Sequence, residues 1–164
     1  MNLSREEIKR RVEDIIHDFN LQKCKNTIVG TNIVKGMSGG EKRRTSIAIE
    51  LVTNPQILFL DEPTSGLDSF TAQKVISSLI NYASKGMTVV ATIHQPNSDT
   101  FQKFPKLLLL MDGHTIYQGK TMDSVGYFNQ LGYIIPEYSN PSDYYLKEFY
   151  IPFISTKTES QKLK

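Results

Sequence analysis

Between residues 4 and 19 the apolar side chains Ile8, Val12, Ile15, Ile16 and Phe19 recur every three or four positions. That spacing predicts an amphipathic helix, and Ser4 with Glu7 makes an S-x-x-E capping box at its start. A loop from Leu21 to Met37 separates it from a second predicted helix, about Glu41 to Thr53, closed by Asn54-Pro55 because a residue before proline is driven from the α region. The pattern then changes. Ile57 to Leu60 is short and wholly apolar, as expected of a strand covered on both faces of a parallel sheet. Asp68 can cap the helix that follows, whose stripe is Val75, Ile76, Leu79 and Ile80, and Gly86 supplies its stop. MTVVATI at 87–93 is β-branched and apolar, a second buried strand with His94 at its end.

Strand, helix, strand in succession implies a right-handed crossover and a parallel sheet. Farther along, LLLLM at 107–111, Asp112-Gly113 and TIYQG at 115–119 read as an antiparallel hairpin. Met122 to Leu131 is a short helix with Thr121 in front and Gly132 behind. Another is expected to begin at Asn140-Pro141 and end near Phe149, with Ile151-Pro152 breaking it before a polar tail. No internal repeat or low-complexity segment interrupts this plan.

Composition changes the picture little. At 164 residues, 39% hydrophobic and 22% charged, the chain has the makings of one globular domain or a large part of one. Its 19 basic and 17 acidic residues are interleaved, so a net charge of +2 gives no electrostatic case for a nucleic-acid partner. The KRR run at 42–44 reads as a solvated helix face. The single cysteine, Cys24, has no His or Cys at metal-ligand spacing and is expected to be a half-buried thiol in a reducing, intracellular setting. The polar start MNLSREEIKRR is unlike a signal or transit peptide. No apolar run approaches the ~20 residues that span a bilayer.

Chemistry concentrates beyond the carboxyl ends of the two buried strands, where open parallel sheets bind ligands. Asp61, Glu62 and His94 all fall there. The first carboxylate suits Mg²⁺ through water, the second suits orienting an attacking water, and the imidazole suits a γ-phosphate. Taken alone, a turn cap, a solvated acid and a strand end explain the same three residues better. The second element is GMSGGEKRR, residues 36–44. Ser38 and Glu41 match a capping box, yet a cap needs no glycine pair, and glycines cost chain entropy. Bare amides at a helix N-terminus with a hydroxyl beside them form an anion site, so Ser38, Gly39 and Gly40 are phosphate-contact candidates.

Together these elements are far more specific. MSGGE, then ILFLDEPTSGLD, then a strand ending in His resembles the second half of an ATP-binding cassette domain. TIHQP at 92–96, DGHTIYQG at 112–119 and NPSDYY at 140–145 sharpen the likeness to the ABCG, or White, subfamily of transporters, over roughly residues 3–149. The resemblance implies a P-loop NTPase-type α/β fold, a parallel sheet flanked by helices, but incomplete, with part of the helical signature subdomain. It implies Asp61 for Mg²⁺ through water, Glu62 as the activator of water and His94 as the γ-phosphate sensor. It implies Ser38, Gly39, Gly40 and Glu41 as the signature motif contacting ATP held by an opposite subunit, and Ser65, Gly66, Leu67 and Asp68 as the D-loop.

One element of such a domain is missing from the sequence. A P-loop reads G-x-x-x-x-G-K-[ST], and the sole candidate is Gly119-Lys120-Thr121, where the first glycine position is His114. Bulky, β-branched residues lie between, and the segment follows the acid pair instead of preceding it. The strand of a hairpin is the better reading. The upstream strands and Q-loop of the family are likewise not matched. The expected organisation is residues 1–54 as partial helical subdomain, 55–119 as the C-terminal part of the ATPase core, 120–154 as an ABCG-type helical extension and 155–164 as a polar tail.

The functional expectation is a partial nucleotide-binding domain that couples ATP binding and hydrolysis, with Mg²⁺, to transmembrane transport. Its partners would be a second nucleotide-binding domain, in a homo- or heterodimer, and a transmembrane domain, with no nucleic acid. Its place would be the cytoplasmic face of a membrane. Without a P-loop the chain is not expected to hydrolyse ATP alone. Two alternatives stand beside this reading: a non-catalytic module lending its signature helix to a partner cassette, and a piece of a soluble cassette ATPase.

Overall fold

The computed structural model describes residues 4–31 and 33–149; the expected break at Ile151-Pro152 and the polar tail lie outside them. The chain divides into two compact units, Met1–His94 and Gln95–Lys164.

The first unit is built on one strand–helix–strand crossover. Helix α1, Arg5–Asp18, opens on the capping box foreseen from Ser4 and Glu7: the Ser4 hydroxyl accepts from the Glu7 amide while the Glu7 carboxylate accepts from the Ser4 amide. Helix α2, Gly39–Val52, starts in the same way from Ser38 and Glu41. It begins two residues earlier than predicted, because both glycines are taken into its first turn. Strand β1, Ile57–Asp61, leads to helix α3, Ser69–Ser84, capped by Asp68 and stopped at Gly86, whose φ of +103° suits only glycine at low cost. Strand β2, Thr88–Thr92, then pairs parallel with β1, in register from Ile57↔Thr88 to Asp61↔Thr92.

The buried side chains of this unit are Ile15, Phe19, Leu21 and Cys24 from α1 and the turn after it, Ile47, Ala48 and Leu51 from α2, Leu58 from β1, and Val75, Ile76 and Leu79 from α3. Two expectations fail here. Cys24 is fully buried at 4% exposure, its thiol donating to the Leu21 carbonyl at 3.3 Å. The strands are not covered on both faces: Phe59 is 75% exposed, with Ile57 and Val90 on the same outer surface. Among the described residues this sheet has two strands, and Leu58 faces the helices while its neighbours do not.

The second unit holds helix α4, Ser98–Lys103, which the sequence reading missed, then the hairpin β3, Lys106–Met111, and β4, His114–Lys120. Asp112 and Gly113 form its turn with φ of +48° and +78°, the pairing of two left-handed residues that matches strand twist. Helix α5, Thr121–Gln130, and a helix α6 over residues 141–149 complete it. Thr121 does not stand in front of α5 as expected. It is the first helical residue, 1% exposed, and Lys120 occupies the cap position without a side-chain bond. The core is aromatic: Phe101, Tyr117, Phe128 and Tyr145 are buried together, with Tyr133 and Phe149 packed against them. The Tyr145 hydroxyl is satisfied by Ser124 Oγ at 3.1 Å, as a buried phenol requires.

Candidate functional site

The Gly119-Lys120-Thr121 sequence lies on β4 and the start of α5. A Cβ on Gly119 would stand 2.8 Å from the Tyr117 hydroxyl, which itself donates to the Lys120 carbonyl at 2.6 Å. This glycine makes room for a tyrosine and cradles no phosphate.

The first unit gathers the residues singled out by chemistry. Because β1 and β2 run parallel, Asp61, Glu62 and His94 all lie at the same, carboxyl-terminal end of the sheet. Asp61 closes β1 opposite Thr92. The Thr92 hydroxyl donates to Asp61 Oδ1 at 2.6 Å and accepts from the Glu62 amide at 2.9 Å. Glu62 has φ of +44°, a left-handed conformation uncommon outside glycine, and its carbonyl accepts from the Ser65 amide at 3.0 Å. The chain turns there through a buried Pro63 and through Gly66, with φ of +73°, to reach Asp68. Asp68 Oδ1 accepts from the Thr71 amide at 3.0 Å. The Thr71 hydroxyl and amide hold the Asp68 carboxyl below the usual carboxylate range. His94 is exposed two residues past the end of β2.

The glycine-rich start of α2 is open on the side that matters for an anion. A Cβ added to Gly39 would meet nothing within 4 Å. Gly39 and Gly40 are the first helical residues, whose N–H groups have no acceptor inside the helix. Ser38 Oγ donates to Glu41 Oε2 at 2.8 Å, and the Ser38 amide donates to the same oxygen at 2.8 Å. Those bonds, the backbone one foremost, hold the Glu41 carboxyl below its ordinary range. Gly40 has a separate reason to be glycine: a Cβ there would lie 3.0 Å from Leu67 Cδ2. Its bareness lets the turn after the acid pair lie against the first turn of α2.

Two residues went unrecognised in the sequence. Thr92 looked like one more β-branched strand residue, although its place two residues before His94 was a signal. Arg43 was read as part of a solvated basic face. Instead its guanidinium Nη2 donates to the carbonyls of both Asp61 and Glu62, the latter at 2.6 Å. It ties the signature-like helix to the acid pair within one chain. Among the described residues no three His, Cys, Asp or Glu side chains converge as a metal cage.

Comparison with known proteins bears on the family and the fold. A family model described as ABC transporter matches residues 1–65, and one described as ABC-2 type transporter matches residues 94–161. Over 93% of its length the chain is 47% identical to ABC transporter G family member 1 of Dictyostelium discoideum, and over 84% it is 48% identical to human ATP-binding cassette sub-family G member 8. The chain belongs to the ABCG family of ATP-binding cassette transporters. It spans about a fifth of those relatives, 19% and 20% of their lengths. Among solved structures, the ABCG-type chain matches cbiO1 from Clostridium perfringens, part of the ABC transporter complex cbiONQ, at 26% identity and a TM-score of 0.55. That match covers 80% of this chain and 50% of the other. The ADP conformation of MJ1267, an ATP-binding cassette, matches at 19% identity and a TM-score of 0.58, covering 79% of this chain and 50% of the other. The fold is therefore a partial cassette α/β fold. The family implies a nucleotide with Mg²⁺ and points to a membrane transporter. No helix among the described residues is long and apolar enough to cross a membrane.

Proposed function

We propose that this ABCG-type chain supplies the signature helix, acid pair, D-loop and switch histidine of a nucleotide-binding domain whose ATP hydrolysis drives transport. The observation that carries this reading is the convergence, within one compact unit, of the open glycine start of α2 with the acid pair at the end of β1. Arg43 and the Gly40–Leu67 contact join the two.

Each side chain then has a role. Asp61, whose second carboxylate oxygen Thr92 leaves free, is the residue that would hold Mg²⁺ through water. Bound Mg²⁺ would neutralise charge on the β- and γ-phosphate oxygens. Glu62 orients the attacking water and takes its proton. His94 donates to a γ-phosphate oxygen. The amides of Gly39 and Gly40 donate to ATP held by a second cassette, and the Ser38 hydroxyl, which donates to Glu41 here, would turn its one proton to the phosphate while the Ser38 amide keeps Glu41 in place. Ser65, Gly66, Leu67 and Asp68 carry contact across that dimer. The partners are a second nucleotide-binding domain and a transmembrane domain, at the cytoplasmic face of a membrane. Because no G-x-x-x-x-G-K motif is present in the sequence, phosphates are cradled by a P-loop outside this chain.

The test is an exchange. The matching segment of the Dictyostelium relative's transporter is replaced by this chain, and Mg-ATP turnover is measured in membranes. The exchange protein is expected to hydrolyse ATP, and Glu62→Gln is expected to bind ATP but lose turnover. An exchange protein that inserts and binds ATP yet shows no turnover would refute the reading. The 164-residue chain alone is expected to show no saturable Mg-ATP binding in the micromolar range by titration calorimetry.

A further inference from the structure

We propose that Thr92 and Arg43 are positioning residues for the acid pair, gripping the Asp61–Glu62 turn from two sides so that its geometry follows the signature helix. The proposal rests on the roles given to Asp61 and Glu62 above.

The turn needs such a grip. Glu62 sits at φ +44° without being glycine, a backbone state that persists where surrounding contacts over-determine it. Thr92 provides one contact through a single oxygen with two jobs. It accepts the Glu62 N–H at 2.9 Å and donates to Asp61 Oδ1 at 2.6 Å. The first bond fixes the peptide plane from which the Glu62 side chain springs. The second fixes the rotation of the Asp61 carboxylate and reserves its other oxygen. A hydroxyl accepts and donates through one atom, so the methyl of a valine cannot replace it and a serine can.

Arg43 grips the opposite, carbonyl side. One guanidinium nitrogen reaches the carbonyls of Asp61 and Glu62 together. Arg43 stands in the second turn of α2, five residues after Ser38, on a helix of 14 residues. A displacement of that helix, as when its N-terminus engages a phosphate, is therefore passed to the peptide that carries Glu62. A lysine at 43 offers a compact ammonium in place of a planar fork and would hold the two carbonyls less rigidly.

The experiment uses two preparations. In the 164-residue chain, amide exchange at Glu62 is followed by NMR for wild type, Thr92→Val, Thr92→Ser and Arg43→Gln. Thr92→Val is expected to speed exchange at Glu62 selectively, leaving Phe59 and Leu60 unchanged, and Thr92→Ser to restore protection. In the exchange transporter, Thr92→Val and Arg43→Gln are expected to lower kcat about 10- to 100-fold, the scale of a slight misplacement of a reacting group. KM for ATP should change much less than kcat, and Thr92→Ser should recover kcat. Wild-type kcat in Thr92→Val, or a Thr92→Ser no better than valine, overturns the proposal. So does a rise in KM at unchanged kcat. An unsubstituted exchange protein that binds ATP without turnover overturns the functional reading itself, and the proposal falls with it.

Discussion

Gly39 is a position where stability and the proposed function can be separated. Gly39→Ala adds a Cβ at the first residue of α2, in helical backbone, and that Cβ meets nothing within 4 Å. No steric cost opposes the substitution. Alanine narrows the unfolded ensemble, so the fold should gain about 0.4–1 kcal/mol. For a unit of the size of Met1–His94, that corresponds to a rise of about 2–8 °C in its melting temperature. Under the proposed role of these amides, the new methyl stands in the path of an approaching phosphate. In the exchange transporter, turnover should fall on the order of 100-fold, comparable to losing one preorganised oxyanion donor. The assay pairs thermal melts of the chain, followed by circular dichroism, with Mg-ATP turnover of the exchange protein. A Gly39→Ala chain that melts lower would refute the helical assignment of this residue. A stabilised variant with undiminished turnover would refute the use of these amides as an anion site.

The Ser38–Glu41 box carries a pH signature. The Glu41 carboxyl lies below its ordinary range because it accepts from Ser38, so its contribution is fully present above the unfolded pKa of ~4.3 and is lost as pH falls through the lower folded value. Relative to their intrinsic rates, the α2 first-turn amides should lose protection below roughly pH 4 in wild type. Ser38→Ala, expected to cost about 1 kcal/mol, should only weaken that dependence because the Ser38 amide bond to Glu41 survives, whereas Glu41→Gln should abolish it; a pH-independent wild type would contradict it. Gly119→Val drives a branched side chain into a position 2.8 Å from the Tyr117 hydroxyl and should destabilise the second unit by about 1–3 kcal/mol. Measured by urea unfolding of that unit, a neutral Gly119→Val would disprove the packing role given to this glycine.

Local chemistry made much of the molecule legible in advance. Capping boxes at Ser4 and Ser38, the Asp68 cap, the stop at Gly86 and the Asp112-Gly113 hairpin turn are each decided within a few residues. A short side chain reaching a backbone amide three residues on, or a backbone that only glycine adopts freely, depends little on the rest of the fold. The order of the motifs was legible for the same reason, since MSGGE, ILFLDEPTSGLD and the histidine after TVVATI lie whole within the sequence.

What the tertiary structure decided are the contacts between distant segments. Thr92 reaches Asp61 across 31 residues, and Arg43 reaches the Asp61 carbonyl across 18. A threonine in a strand and an arginine on a helix look the same whether they face water or a polar partner, and only the pairing of β1 with β2 and the reach of α2 to the end of β1 tell them apart. Exposure was decided there too. Ile57, Leu58 and Phe59 are equally apolar, but among the described residues the sheet has two strands and one covered face, so Leu58 is buried and Phe59 is not. Burial belongs to the layers a strand is packed between, and an apolar run by itself does not say how many layers there are.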